Sequence, residues 1–381
     1  MYVESKRLEY LDSILGLAAL FVLLSHTVAA FAWPTGFGSF LRLPFISILF
    51  NGQEAVCMFF VLSGYVLSKP YFQSPGNAFP RTIFLPSFYV RRFMRIWPPW
   101  FFVFVLSLIA RKYWFGHPVT EPPVSQWLAQ FWQAPVTAKD FLRQCAFRLH
   151  DVSRQLLVQD WSLGVELKGS VMIPLFVFLL QRGRMGWLLL VLALAFPACL
   201  GYGHCYVSFI IGAVLARYGE FTIPSVRFAK AALLILGLLL YQTNGMLIAL
   251  FPATKLAGQC GWIVTSLGCA LGLLAVFGSQ SLQQRLSHKP VVFLGRVSYS
   301  VYLVQFIIIL CWLPPLVRWG NDCGITNRLG LFVLTLLVSV AATVGFSAIT
   351  YRLVEVPAIN LGHWLTSELQ ARFQKPCAPS T

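Results

Sequence analysis

The stretch LDSILGLAALFVLLSHT, residues 11–27, decides the class of fold. Most of its residues are apolar, and the apolar run around it is long enough to cross a bilayer as one helix. Asp12 stands at its start and His26 lies inside it. An ionisable side chain in hydrocarbon is costly, and it is usually kept for function or because it has a partner. His26 is therefore the first candidate functional residue, and a histidine that only packs against a neighbouring helix is the alternative.

The composition of the whole chain also favours a membrane protein. Of the 381 residues, 57% are hydrophobic and 11% are charged, whereas soluble domains carry about 25% charged residues. The net charge of +16 does not indicate a nucleic-acid partner, because most Lys and Arg lie in short connections between apolar runs. The cysteines show no metal-ligand spacing, so we expect no bound metal. No small-residue cleavage site follows the first run, so we expect no signal peptide.

Long apolar runs predict an all-α polytopic membrane protein with about ten transmembrane helices. The run near 161–181 is interrupted by Glu166 and Lys168. Two short runs, near 187–202 and 204–218, form either a tight pair or one re-entrant element. The ten runs lie near residues 13–33, 43–68, 97–115, 161–181, 187–202, 204–218, 229–251, 259–278, 291–316 and 329–354.

Lys and Arg are more frequent in the connections on the side of the N-terminus, which predicts cytoplasmic N- and C-termini. The largest connection, residues 116–160, then lies outside. Its Trp127 and Trp132 are expected to be interfacial anchors, and stacking on a sugar is the alternative. Residues 1–362 are predicted to form one membrane domain, followed by a short disordered tail at 363–381.

Glu166 is an acidic residue placed where the chain enters the fourth run, within DWSLGVELKG. A carboxylate there needs a cation, a backbone donor or a wet cavity. Glu166 is therefore a candidate to orient the His26 imidazole or to balance its charge. The alternative is a structural residue that caps the start of the helix.

Arg92 and Arg95 stand three residues apart in RRFMRIWPPW, residues 91–100, and share a face if the segment is helical. Two guanidinium groups on one face suit a phosphate-rich ligand, because each offers a planar fork of donors. A basic anchor at the cytoplasmic start of the third span is the alternative interpretation.

Six motifs, in this order, resemble acyltransferase family 3, whose members are integral-membrane O-acyltransferases that modify sugars, lipopolysaccharide, peptidoglycan, exopolysaccharides and some small molecules. The similarity runs from about residue 8 to 362. The motifs are His26 within its helix, FFVLSGYVL at 59–67, RRFMRIWP at 91–98, WSLGVE at 161–166, VSYSVYLVQ at 297–305 and VEVPAINL at 354–361.

The resemblance implies that His26 is catalytic, that Glu166 belongs to the same site, and that Arg92 and Arg95 contact acyl-CoA. Acetyl-CoA is the expected donor, as a substrate and not as a permanently bound cofactor. Three positions depart from the family pattern. Leu15 stands where the family has Arg, Cys57 where an acidic residue is frequent, and Gln305 where a late His is usual.

These observations predict a membrane O-acyltransferase that moves an acyl group, expected to be acetyl, from acyl-CoA to a hydroxyl of a glycan, a glycolipid or a small acceptor. We expect it in the plasma (inner) membrane, with the CoA phosphates at the cytoplasmic edge and the acceptor arriving from outside. A neutral imidazole can act as general base, or it can form a covalent acyl-imidazole. A polytopic transporter and a catalytically inactive scaffold of a glycan-synthesis complex are the alternatives.

Overall fold

The computed structural model describes residues 9–32, 44–72, 85–114, 124–148, 151–184, 186–187, 201–219, 227–250, 255–325 and 327–373. Within these ranges the chain is helical, apart from turns and one isolated antiparallel bridge between Phe31 and Val124. A π-helical turn at Tyr351–Glu355 joins the last two helices. The α-helices are, in chain order, α1 (Glu9–Ala30), α2 (Pro44–Ser47), α3 (Gly52–Phe72), α4 (Leu85–Trp114), α5 (Gln126–Ala129), α6 (Ala138–Cys145), α7 (Asp160–Gln181), α8 (Tyr206–Tyr218), α9 (Arg227–Tyr241), α10 (Thr243–Leu250), α11 (Lys255–Phe277), α12 (Gln280–Leu286), α13 (Lys289–Arg296), α14 (Ser298–Asp322), α15 (Arg328–Thr350) and α16 (Val356–Phe373).

Eight helical segments of the described chain are long and apolar enough to cross a membrane, and they correspond to eight of the ten predicted runs. The all-α polytopic prediction is therefore confirmed. The run near 187–202 lies almost wholly outside the described residues. The run near 204–218 forms α8, which has 13 residues and is too short to count as a span. The predicted sidedness of the termini stays a prediction.

Helix α1 lies inside the bundle, in contact with α3, α13 and α14. Its close approach to α13 depends on two glycines, because a Cβ on Gly16 would lie 2.5 Å from the backbone nitrogen of Gly295. Small residues at such crossings let membrane helices pack backbone to backbone. The crossing fixes the helix that carries His26.

The segment between α4 and α7 is anchored to the bundle. The backbone N–H of Ser125 donates to the carbonyl of Ala30 over 2.9 Å, and the Ser125 hydroxyl donates to the carbonyl of Ala29 over 2.6 Å. Leu156 and Leu157, near the other end of the segment, are fully buried in the core. The segment therefore covers the end of α1 as part of the fold.

Helix α6 within this segment begins with a capping box. The Thr137 hydroxyl accepts from the backbone N–H of Asp140, and the Asp140 carboxylate accepts from the backbone N–H of Thr137. Arg154 donates to the same carboxylate over 3.2 Å. The Thr137 hydrogen bonds, with a smaller contribution from Arg154, lower the pKa of Asp140 below its ordinary value.

The last predicted span does not end near residue 354. Helix α15 continues through the π-helical turn into α16, which reaches Phe373. Pro357 is tolerated because it is the second residue of α16, directly after the π-helical turn, and proline fits the first turn of a helix. The predicted disordered tail at 363–381 is therefore helical in its first part, and residues 374–381 lie outside the described chain.

Candidate active site

His26 lies near the outer end of α1 by the predicted orientation, with aromatic rings on two sides. The ring of Trp127, on α5, stacks on the imidazole at a centroid distance of 5.7 Å and an angle of 21°. Phe306, on α14, meets it edge to face at 6.2 Å. The residue as a whole is half-buried, but its Nδ1 atom is buried. The imidazole thus keeps one accessible side within an apolar, aromatic setting.

Gln305 is a polar neighbour of His26. It directly precedes Phe306, whose ring lies 6.2 Å from the imidazole, and the side chains of Gln305 and His26 are within interacting range. Gln305 is fully buried on α14, and its Nε2 donates to the carbonyl of Tyr302 over 3.1 Å. Neither Nδ1 of His26 nor Oε1 of Gln305 has a hydrogen-bond partner among the described residues. The motif VSYSVYLVQ therefore approaches His26 through Gln305, the residue at which it departs from the family pattern.

Arg92 and Glu166 form an ion pair in a second polar layer. The Arg92 guanidinium donates to Oε1 of Glu166 over 2.7 Å, and both side chains are largely buried. The same guanidinium donates through two nitrogens to the Ser170 hydroxyl, over 3.2 and 2.8 Å. The Ser63 hydroxyl, from the FFVLSGYVL motif, donates to Glu166 over 2.9 Å. Three of the predicted motifs therefore meet at one point.

Arg95 forms a looser pair with Glu355, at 3.7 Å. The carboxylate of Glu355 is fully buried on the π-helical turn and accepts from the Ser300 hydroxyl over 2.8 Å. The side chain of Arg95 is 39% exposed, against 15% for Arg92. Of the two arginines, Arg95 is therefore the more available to a ligand.

The two layers are connected by α14. Tyr299 lies among the charged groups of both arginine pairs, and Gln305 stands next to His26 on the same helix. Six residues of helix separate the two positions, which is about 9 Å along its axis. The Tyr302 hydroxyl, between them, is 2.5 Å from the Ser162 hydroxyl of α7. Buried hydroxyl groups thus line the interval between the arginine layer and His26.

The structure brings together only some of the residues that the sequence singled out. Arg92 and Glu166 are in contact, and Arg95 lies on the same helix one turn later. In the described part of the chain, the hydrogen bonds to the Glu166 carboxylate come from Arg92 and Ser63, and none joins it to His26. The expected contact of Glu166 with His26 is therefore not found, and a catalytic role for Glu166 stays a prediction.

Sequence reasoning missed Trp127 and Gln305 as neighbours of His26, and Glu355 as the partner of Arg95. The sequence predicts an interfacial anchor at Trp127, and it shows Gln305 only as a departure from the late His of the family pattern. For Glu355 a signal was present, since the residue belongs to the VEVPAINL motif, but nothing in that motif names its partner.

The other two departures from the family pattern lie away from His26. Cys57 is buried in a neutral cluster, with its Sγ 3.0 Å from the Ser266 hydroxyl and 3.6 Å from the Ser208 hydroxyl. Leu15 packs against the hydrophobic core of the bundle. Both positions therefore have ordinary apolar or hydrogen-bonded surroundings in this chain.

A bundle of membrane-crossing helices that holds one imidazole in one layer and paired arginines in another defines a multi-pass membrane protein with a site suited to group transfer. The chain belongs to acyltransferase family 3, since the model of that family, described as an acyltransferase domain, matches residues 8–352. The protein is thus a membrane acyltransferase by family.

The chain is also similar to the O-acetyltransferase PaAT-1 of Phomopsis amygdali. The two are 30% identical over 204 residues, which make up 45% of this chain and 40% of the relative. The chain therefore spans well under half the length of that relative. No solved structure matches the chain.

Proposed function

We propose that this protein transfers an acyl group, acetyl by preference, from acyl-CoA to the hydroxyl of a glycan, a glycolipid or a small acceptor. The observation that carries the proposal is His26, a half-buried imidazole on the first helix of a family 3 chain, with a second polar layer of arginines below it. The name of the relative, an O-acetyltransferase, supports oxygen as the acceptor atom and acetyl as the group.

His26 acts as general base in this mechanism. The hydroxyl oxygen of the acceptor attacks the thioester carbonyl carbon while its proton moves to the imidazole. The C–S bond then breaks, and the CoA thiolate leaves and takes up that proton. Such general-base help contributes about 10²- to 10⁴-fold in rate. Attack by the imidazole itself, through an acyl-His26 intermediate, uses the same contacts and is the second route.

Donor binding falls to the arginine layer. The more exposed Arg95 offers a planar, permanently charged fork to a phosphate group. Arg92 is more enclosed and already neutralised by Glu166, so it contributes positive potential behind Arg95. The hydroxyl groups of Ser162 and Tyr302 lie between this layer and His26, where the pantetheine arm has to pass.

Two sides of the membrane serve the two substrates. With a cytoplasmic N-terminus, acyl-CoA reaches Arg95 from the cytoplasm and the acceptor reaches His26 from outside, so acyl-CoA need not cross the bilayer. Trp127 then lies on the acceptor side, where an aromatic face can stack on the apolar face of a sugar or of a small alcohol. The plasma membrane fits such an arrangement.

The test is acyl transfer by the purified full chain in lipid nanodiscs, with acetyl-CoA labelled in the acetyl group. We expect release of CoA and labelling of an acceptor fraction, and we expect His26→Ala to abolish both without loss of folded protein. His363→Ala is the matched control, because His363 is exposed on α16. A folded His26→Ala protein with normal activity contradicts the catalytic assignment. A wild-type protein that binds but never cleaves acyl-CoA favours the scaffold, and one that moves a solute across the bilayer favours the transporter.

A further inference from the structure

Two buried polar atoms near the centre of the site lack hydrogen-bond partners among the described residues. A polar atom that is buried without a hydrogen bond destabilises the folded chain, because its contacts with water are lost and not replaced. Nδ1 of His26 and Oε1 of Gln305 are both in this position, on side chains within interacting range of each other. One is a ring nitrogen that can carry a proton, and the other is a carbonyl oxygen that can only accept one.

The orientation of the Gln305 amide is fixed by its other end. Its Nε2 donates to the carbonyl of Tyr302, which cannot donate in return, so this end must be the NH₂ group. The carbonyl of Tyr302 also accepts from Nε2 of Gln159, over 2.9 Å. Oε1 is therefore the atom of the Gln305 amide that can accept a hydrogen bond from His26.

We infer that Gln305 is a positioning residue that holds the His26 imidazole with its proton on Nδ1, which leaves Nε2 free to take the proton of the acceptor. This inference rests on the proposed function. Of the two ring nitrogens, only Nδ1 is both buried and without a hydrogen-bond partner in the described part of the chain. A hydrogen bond from Nδ1–H to Oε1 of Gln305 satisfies both atoms, and it selects one of the two neutral tautomers.

The proton balance of the step follows from this tautomer. Nε2 receives the hydroxyl proton as the acceptor oxygen bonds to the thioester carbon. Nδ1 keeps its own proton throughout, because an amide oxygen does not take it. After the C–S bond breaks, Nε2 returns its proton to the CoA sulfur, and the imidazole is neutral again. An amide partner thus orients the base without adding a second titrating group to it.

The aromatic neighbours complete the positioning. Trp127 and Phe306 restrict the plane of the imidazole, while Gln305 selects its tautomer. Glutamine stands here in place of the late His of the family pattern, so this chain keeps a hydrogen-bonding side chain at the position but removes one titrating ring. The resemblance to the family alone did not indicate this role.

The experiment compares Gln305→Met and Gln305→Glu in the full chain in nanodiscs, by steady-state kinetics with acetyl-CoA and by thermal unfolding. Methionine keeps the approximate length but cannot accept the bond from Nδ1, so we expect kcat to fall about 10- to 100-fold with an unchanged KM for the donor. Glutamate keeps an acceptor oxygen, so we expect it to restore most of the lost kcat. We also expect it to displace the limb of the pH–rate profile that belongs to His26, because it places a charge beside the ring.

Gln159→Met is the matched control. It also removes an amide that donates to the Tyr302 carbonyl, and Gln159 shows no contact with His26 in the described chain. We expect lower thermal stability from it but an unchanged kcat per folded molecule and an unchanged pH profile.

Two results overturn the inference. One is a folded Gln305→Met protein with wild-type kcat. The other is a folded Gln305→Glu protein whose pH–rate profile matches that of the wild type, and this comparison also decides the question if the methionine variant does not fold. A wild-type chain that transfers no acyl group contradicts the proposed function instead, whatever the variants do.

Discussion

Glu166 is bonded to Arg92 and not to His26, and this changes what its replacement is expected to do. The guanidinium is held in place by two hydrogen bonds to Ser170 as well as by the carboxylate. Removing the charge of Glu166 therefore leaves Arg92 positioned but no longer neutralised. An unneutralised cation next to the proposed phosphate site would attract the phosphate more strongly.

For Glu166→Gln we expect the KM for acyl-CoA to fall, by about three- to tenfold at low salt, together with a lower melting temperature. The measurement is donor titration at two ionic strengths, since the gain in affinity should shrink as salt screens it. Ser170→Ala is the matched variant, and it should raise the donor KM because it loosens Arg92 without changing its charge. A lower kcat at constant donor KM for Glu166→Gln would instead support the role beside His26 that the sequence predicted.

Arg95→Lys should raise the KM for acyl-CoA about tenfold or more, because a lysine ammonium cannot replace a planar fork on phosphate. Arg91→Lys is the control, since the backbone of Arg91 lies near Gly362 of α16 and the described chain shows no ion pair of Arg91 with Glu166 or Glu355. Equal effects of the two substitutions would show that the basic run serves only as a membrane anchor. Isothermal titration with CoA separates binding from turnover.

At the scale of single residues, the sequence predicts which side chains matter better than it predicts their partners. His26, Arg92 and Arg95 are conspicuous because ionisable groups are rare in apolar runs. Trp127 and Gln305 are ordinary residues by type, and they become important only through contacts made from distant parts of the chain. Pairwise contacts of this kind depend on tertiary packing, which local patterns do not contain.

At the scale of elements, the crossing of α1 and α13 should tolerate no added atom. Gly16→Ala places a methyl group against the backbone of Gly295 and Leu294, so we expect a loss of about 1–3 kcal/mol in stability and a misplaced His26. Gly345→Ala is the matched control, because nothing lies within 4 Å of the added Cβ, and it should be neutral or slightly stabilising. Thermal unfolding in detergent compares the two, and equal melting temperatures would argue against a tight crossing.

The segment between α4 and α7 should open in acid at a defined pH. The pKa of Asp140 is lowered in the folded chain, mainly by Thr137, so its contribution to stability is present above the unfolded value of about 4. That contribution is lost as pH falls through the lower, folded value. Hydrogen exchange in α6, corrected for intrinsic rates, should be constant from about pH 8 to 5 and should rise only below about 4. If hydrogen exchange in α6 already rises near pH 6, a titrating group other than Asp140 controls the opening.

Elements are well predicted where length and hydrophobicity determine them, which is why the strong runs reappear as spans. The π-helical turn at Tyr351–Glu355 has no such signal. The turn places Glu355 in contact with Arg95 and Ser300, and such tertiary contacts are not visible in a local sequence pattern. The predicted end of the tenth run near residue 354 is therefore wrong, because the helix continues through the π-helical turn into α16.

At the scale of the whole molecule, the orientation of the bundle decides which substrate meets which layer. Charge bias predicts that the connection between α14 and α15, which carries the exposed Cys323, lies outside. In sealed right-side-out vesicles, a membrane-impermeant maleimide should therefore label Cys323, read by peptide mass spectrometry. A cysteine introduced as Ser281→Cys, on α12, should be labelled only after permeabilisation. The opposite labelling pattern would contradict the proposal, because it would place the acyl-CoA side of the site outside and the acceptor side in the cytoplasm.

The segment between α4 and α7 is joined to the end of α1 partly through main-chain atoms. The N–H of Ser125 donates to the carbonyl of Ala30, and Phe31 and Val124 form the antiparallel bridge. Main-chain bonds survive most changes of side chain. Evolution can therefore exchange the side chains of this segment, Trp127 among them, without detaching the segment from the helix that carries His26. One reaction centre can in this way be adapted to new acceptors by drift in a short stretch of sequence, while the helices beneath it stay under the constraint of packing.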